Sequence, residues 1–189
     1  DSLPYFELKT EAGIRSVRFS PDGNFLLTAH EDGTVVIRSD KGKSIKVLRG
    51  HSQDVMSAEF SPDGKYIAST GKDKTARLWS SEGKLLHVFT DFSNPVNSAE
   101  FSPDGKYLLT ASNDGFVKLY LLTGQEIARF KHHGKVTQSE FSPNGEYILS
   151  VVKKENMQTA DLQVISASKI LEFTNEVKIF GDFFRLNEK

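Results

Sequence analysis

Phe60-Ser61-Pro62-Asp63-Gly64 recurs three more times in nearly the same letters, beginning at Phe19, Phe101 and Phe141. The intervals are 41, 41 and 40 residues. A period in this range marks one small supersecondary unit copied along the chain, whose copies must stack because none can bury its own apolar faces. The phrase itself is a turn. Proline presets a turn-compatible φ, aspartate or asparagine bonds nearby backbone, and glycine supplies a positive φ.

Around the second phrase the sequence predicts four short strands, over residues 55–60, 66–70, 76–79 and 85–89, separated by turn signals. Strands at this spacing make one antiparallel meander. The first copy places its strands at 17–19, 25–28, 34–37 and 44–48, and the third at 96–101, 107–110, 116–120 and 126–130. The fourth begins in the same way, at 136–141 and 147–151. It then loosens into a longer polar connection over 153–158, followed by strands expected at 159–165 and 169–173. At the second hairpin, Asp32-Gly33 and Asp114-Gly115 suit a two-residue primed turn, and Asp73-Lys74 is a less comfortable version.

The 189 residues are 38% apolar and 26% charged, with a formal net charge of −1. This balance does not point to a polyanion as the main partner. The absence of cysteine excludes disulfides, cysteine zinc sites and thiol nucleophiles together. No apolar run is long enough to span a bilayer as a helix, and no signal-peptide pattern is visible. These features carry the expectation of a cytoplasmic protein with no membrane partner. The first residue is Asp1 rather than methionine, which reads as a chain trimmed, processed or cut from something longer.

Period, turn residues and strand signature together resemble the WD-repeat β-propeller family over residues 14–173. The resemblance implies an all-β fold, a β-propeller of about four four-stranded antiparallel blades, whose ring is either incomplete or closed by its own ends. The blades fall at 14–51, 52–92, 93–133 and a degenerate 134–174. Residues 1–13 are expected to hold an outer strand (4–9) completing a terminal blade, and 175–189 the start of a further blade or a closing tail. In this family histidine, serine, aspartate and tryptophan form a hydrogen-bonded tetrad inside a blade, which the resemblance assigns to His51, Ser69, Asp73 and Trp79. The other copies carry partial sets: Thr28 and Asp32; Thr110, Asp114 and Tyr120; His132 and Ser150. Arg38 stands at the tryptophan position of the first copy and Phe92 at the histidine position of the third. Only blade 2 is expected to have the full network, the others relying on apolar packing.

Recurrence also explains away apparent active-site residues. Asp22, Asp63, Asp104 and Asn144 repeat because each turn needs them, whereas a catalytic centre needs unlike groups converging on one place. His132-His133 are adjacent on a loop and have no carboxylates at ligand spacing. No nucleophile elbow, phosphate loop or zinc-protease motif is present. No catalytic residue, metal site or cofactor is expected.

The family resemblance implies instead a binding face at the narrow top of the ring. Arg15 and Glu31 come from blade 1, Asp54, Met56 and Lys72 from blade 2, Pro95, Asn97 and Asn113 from blade 3, and Lys135, Thr137 and Lys153 from blade 4. The implied role is a non-catalytic protein-interaction scaffold or docking module. Two alternatives stand beside it: binding of nucleic acid or phospholipid through Lys72, Lys131, Lys135, Lys153 and Lys154, and a ring assembled from two half-propellers. Four blades leave three routes to closure, namely the rest of a longer propeller, a second copy, or closure of the four alone. Val177, Ile179, Phe180, Phe183, Phe184 and Leu186 make the C-terminal tail too apolar to remain in water.

Overall fold

The computed structural model describes residues 7–153 and 160–167, which form four antiparallel sheets in chain order. Blade 1 comprises β1 (Ile14–Phe19), β2 (Phe25–His30), β3 (Thr34–Ser39) and β4 (Ser44–Arg49). Blade 2 comprises β5 (Val55–Phe60), β6 (Tyr66–Gly71), β7 (Ala76–Ser80) and β8 (Leu85–Phe89). Blade 3 comprises β9 (Val96–Phe101), β10 (Tyr107–Ser112), β11 (Phe116–Leu121) and β12 (Glu126–Lys131). Blade 4 holds β13 (Lys135–Phe141), β14 (Tyr147–Lys153) and β15 (Ala160–Ser166) among the described residues. Most strands end one or two residues later than the apolar runs predict, and β1 begins three residues earlier, because backbone pairing continues into the polar flanks.

The recurrent phrase builds the same turn four times. The serine Oγ accepts the N–H five residues on at 2.9–3.0 Å and donates to the Asp or Asn oxygen at 2.5–2.7 Å. The four glycines have φ between 70° and 73°. This arrangement holds Asp63 at a pKa of about 2, chiefly through the Ser61 hydroxyl.

The second hairpin differs from the expected two-residue primed turn. Gly33 and Gly115 N–H groups donate to His30 and Ser112 carbonyls, so the turn begins one residue earlier. Only the third loop residue has positive φ: Gly33 at 81°, Lys74 at 63° and Gly115 at 84°. This is the three-residue loop, a type I turn closed by a left-handed residue. The loop aspartate thereby keeps an ordinary φ and turns its carboxylate back onto the next backbone N–H, as Asp32 does to Thr34 at 3.0 Å.

Alternation sorts each strand's side chains between an entry face, toward the preceding blade, and an exit face, toward the next. Leu27, Ala29, Val35 and Ile37 on the exit face of blade 1 pack on Val55, Ala58, Ile67 and Trp79 of blade 2. Ala68 and Leu78 meet Val96, Ala99, Phe101 and Leu108, and then Leu109, Val117 and Leu119 meet Val136, Phe141 and Ile148. The core is therefore three seams between blades. A fully buried Leu or Ile in such a seam contributes about 2–3 kcal/mol.

The end blades have no such seam on their outer sides. Ile14, Val17 and Phe19 on the entry face of blade 1 and Val164 on the exit face of blade 4 are exposed. Among the described residues the four blades do not close on one another. Residues 7–10 have no regular secondary structure, and the rest of the outer strand expected at 4–9 lies outside the described residues. The expected features at 1–6, 154–158, 169–173 and 175–189 lie outside the described residues.

Candidate interaction surface and its supporting relays

The innermost strands β1, β5, β9 and β13 line a cavity of about 480 Å³ along the axis. Of the residues expected at the top face, Arg15, Met56, Asn97 and Thr137 line it. Arg15 Nη2 lies 2.9 Å from Glu31 and 2.8 Å from Asp54, and Lys72 Nζ lies 2.8 Å from the same Asp54 oxygen. Glu31, Arg15, Asp54 and Lys72 thus form one chain of charges across the seam between blades 1 and 2. Lys72 and then Arg15 hold the Asp54 carboxyl below its usual range. At the seam between blades 3 and 4, Asn97 Nδ2 donates to Asn113 Oδ1 at 2.8 Å and to the Val136 carbonyl at 2.7 Å. The loop backbone is anchored alike in three blades, with Glu31, Lys72 and Asn113 N–H donating to the Gly13, Asp54 and Pro95 carbonyls. Met56 is half-buried and Thr137 exposed, while Lys135 and Lys153 are exposed cross-strand partners.

Below the rim each blade stabilises its second strand with a different polar set. In blade 2, Trp79 Nε1 donates to Ser69 Oγ at 2.9 Å, Ser69 Oγ lies 2.8 Å from His51 Nε2, and His51 Nδ1 lies 2.9 Å from Asp73. The directions follow from chemistry. Indole N–H can only donate, so the serine hydroxyl is free to donate to Nε2, which makes His51 a neutral Nδ1–H tautomer donating to the carboxylate. Burial pushes the His51 pKa down, in keeping with that neutral form. The network depends on Gly50, because a Cβ there would stand 2.5 Å from Arg77 Nη1 and 3.1 Å from the Trp79 ring.

Blade 3 carries Asp91 at that glycine position and changes its neighbours accordingly. Lys118 Nζ, 2% exposed, sits 2.5 Å from Asp91 Oδ2, and Tyr120 OH donates to Asp91 Oδ1 at 2.9 Å. The ammonium also lies 4.7 Å above the Phe92 ring. Burial opposes ionisation of Asp91, but Lys118, Glu126 and Tyr120 together outweigh it and hold the carboxyl below its usual range. Thr110 Oγ1 only approaches the Lys118 carbonyl, at 3.4 Å, and Asp114 takes the Ser93 and Phe116 N–H groups.

In blade 1, Thr28 Oγ1 meets His30 Nε2 at 2.8 Å and accepts from Arg38 Nε at 3.2 Å. A histidine of the same strand takes the place of one from the inter-blade loop, where this copy has Thr10. Asp32 bonds Thr34 instead. In blade 4, His132 Nδ1 bonds Gln163 at 2.6 Å while Ser150 pairs with Ser139 at 3.0 Å, so the two expected members do not meet. Blades 1, 3 and 4 therefore do not rely on apolar packing alone, contrary to the expectation. Each has a long polar side chain, Arg38, Lys118 or Gln163, on its third strand. The signals were the acid at Asp91 beside Phe92 and the charge at Lys118 in an otherwise apolar strand; His30 had no periodic signal.

The residue before each recurrent phenylalanine also faces the axis: Arg18, Glu59, Glu100 and Glu140 all line the cavity. Glu59 reaches forward to accept the Phe101 N–H of the next blade at 2.8 Å. Burial pushes Glu59 up to about 7, and burial together with Glu59 and Glu140 pushes Glu100 up to about 8. Among the described residues no group of histidines and carboxylates is arranged to hold a metal ion.

Blades stacked about a common axis, inner strand first, define an arc of a β-propeller. A family model described as WD domain, G-beta repeat, matches the chain four times, over residues 4–39, 42–80, 83–120 and 124–153. The chain belongs to the WD40 repeat family. Each sequence repeat is offset from a blade by one strand, since β4 opens the second match and β8 the third. No curated protein matches the chain.

Proposed function

We propose that this protein is a non-catalytic interaction scaffold whose protein partner reads the upper rim. The observation that carries the reading is the seam-crossing rim itself. Glu31, Arg15, Asp54 and Lys72 on one side and Asn97, Asn113 and the Val136 carbonyl on the other are pre-positioned by hydrogen bonds. A preordered polar surface loses less entropy on binding than a loose one. WD40 domains as a class serve protein interaction, which supports the same reading. A cytoplasmic location belongs to this proposal, on the absence of cysteine.

The basic-surface alternative is weaker. Lys72 is paired with Asp54, and Lys131 lies 4.2 Å over the Phe116 ring while donating to the Asp114 carbonyl. Affinity capture with the native chain and with Asp54→Lys and Asn97→Arg variants tests the proposal. A partner bound by the native chain and by a Lys65→Glu variant at the opposite turn, but lost from both rim variants, supports it. Retention by both rim variants overturns it, and strong salt-dependent binding to heparin moves the choice to a polyanion.

A further inference from the structure

One position on the third strand can be followed through successive blades. It lies opposite the buried hydroxyl of the second strand, so Arg77 pairs with Ser69, Lys118 with Thr110 and Gln163 with Ser150. In blades 3 and 4 the inter-blade loop brings a polar partner to that side chain. Asp91 meets Lys118 at 2.5 Å, and His132 meets Gln163 at 2.6 Å. In blade 2 the loop residue against Arg77 is Gly50, which has no side chain.

The hydrogen bonds show the consequence. Arg15, Arg18, Arg38 and Arg129 each donate at least one hydrogen bond, and Arg49 is exposed to water. Arg77 is the one largely buried arginine among the described residues that donates none. Its side chain is 13% exposed, and its Nε is wholly buried without an acceptor. A guanidinium carries five N–H donors, and each one kept from water without an acceptor costs free energy.

Charge gives the same reading. Lys118 has one carboxylate in contact, Asp91 at 2.5 Å, and a second, Glu126, at 3.9 Å. Arg77 has only the distant kind, Asp73 at 3.9 Å. That carboxylate already serves the His51 ring and the Ser52 N–H. The near carboxylate of blade 3 therefore has no counterpart in blade 2. Gly50 is the reason that the end of the guanidinium stays uncovered, since a Cβ there would stand 2.5 Å from Nη1.

We infer that Arg77 is a docking point for a carboxylate carried by another molecule, an acidic side chain of a peptide or protein that takes in blade 2 the place that Asp91 fills in blade 3. The two terminal nitrogens of a guanidinium present parallel N–H donors that match both oxygens of one carboxylate. A phosphate, with its larger negative charge, fits less well, because Asp73 stands 3.9 Å from the same guanidinium. None of the rim residues takes part, so the inference does not depend on the rim being read by a partner.

The 189-residue chain, labelled with nitrogen-15, is titrated with sodium acetate at constant ionic strength and, in a parallel series, with inorganic phosphate. The readouts are the side-chain N–H signals of Arg77 and of Trp79, the one tryptophan, whose ring also borders Gly50. A saturable shift of both signals with acetate is expected. Arg77→Lys keeps the charge but loses the fork, and should bind acetate roughly tenfold more weakly. Gly50→Asp supplies the acid from the chain's own loop, as blade 3 does, and should abolish saturation. Denaturant melts check that both variants fold; should Gly50→Asp fail to, Arg77→Lys alone decides. A native chain with no saturable shift overturns the inference, as does acetate binding undiminished in Arg77→Lys. Saturation by phosphate with none by acetate overturns the assignment to a carboxylate.

Discussion

Asp91 and Lys118 form an ion pair at 2.5 Å in blade 3, its lysine buried and its acid half exposed, at the place where blade 2 has Gly50 and the Arg77 guanidinium. The two blades share backbone and register yet solve one problem, an inter-blade loop pressed on the third strand, with different chemistry. In blade 2 the small residue admits a large indole beside it. In blade 3 the acid fills that space, and the ring becomes Tyr120, whose hydroxyl reaches the carboxylate.

Removing one partner of that pair leaves the other charge stranded. Asp91→Ala is expected to destabilise by about 2–3 kcal/mol, less than the 3–5 of a fully buried pair because the Asp91 side chain is 44% exposed and water can partly replace it. Asp91→Ala with Lys118→Leu should lose less than Asp91→Ala alone. Urea melts of the two single variants and the double variant give the coupling, and additive losses would mean that the pair is unlinked.

The relay of blade 2 predicts a graded response. Asp73→Ala removes the acceptor of a buried imidazole and should destabilise by about 1–3 kcal/mol. Ser69→Ala breaks the relay at its centre, leaving both the Trp79 N–H and His51 Nε2 unpaired, and should lose at least as much. Denaturant midpoints at neutral pH measure both. An unchanged midpoint for Asp73→Ala would remove the relay from the account of stability.

Lys74 occupies a left-handed position, φ 63°, that glycine fills in blades 1 and 3. A side chain there is disfavoured by about 1 kcal/mol. Lys74→Gly should therefore raise stability by up to that amount, offset in part by the greater freedom of glycine in the unfolded chain. A small upward shift of the thermal midpoint is expected, and a decrease would show that Lys74 makes compensating contacts.

Stability should depend on pH in two opposed ways. The folded-state pKa values of Glu59 and Glu100 are raised from 4.5 to about 7 and about 8, so the folded chain holds protons that the unfolded chain has released. Their contribution is full below 4.5 and is lost as pH rises through those values. His30, His51 and His132 are pushed below 6.5 by burial, so stability falls as pH drops below that value. Above 6.5 only the glutamates remain, and a decline towards pH 8 is expected. Glu100→Gln should flatten that decline in denaturant melts repeated across pH, while Gln keeps an acceptor for the backbone.

Much of this protein is legible in its letters. The period of the Phe-Ser-Pro-Asp/Asn-Gly phrase decided the repeat and the alternation of apolar residues decided the strands, while the relay of His51, Ser69, Asp73 and Trp79 was implied by the family resemblance that those residues carry. These are local signals, set by turn chemistry and by the two-residue period of a strand. The Asp32-Gly33 pair does not fix the turn type, because a two-residue and a three-residue loop can share it, and the structure holds the three-residue form. What replaces a missing relay member could not be read, since Asp91 and Lys118 lie 27 residues apart and His30 acts from within its own strand.

By itself the sequence determined the unit, its four copies and the turn that each one uses. Only the tertiary structure decided which of the equivalent residues are covered. Phe19 and Phe101 sit in the same phrase and the same strand position, yet one is bare and the other buried. Burial in a propeller is conferred by the neighbouring blade, and a neighbour is a property of the stack rather than of any stretch of chain.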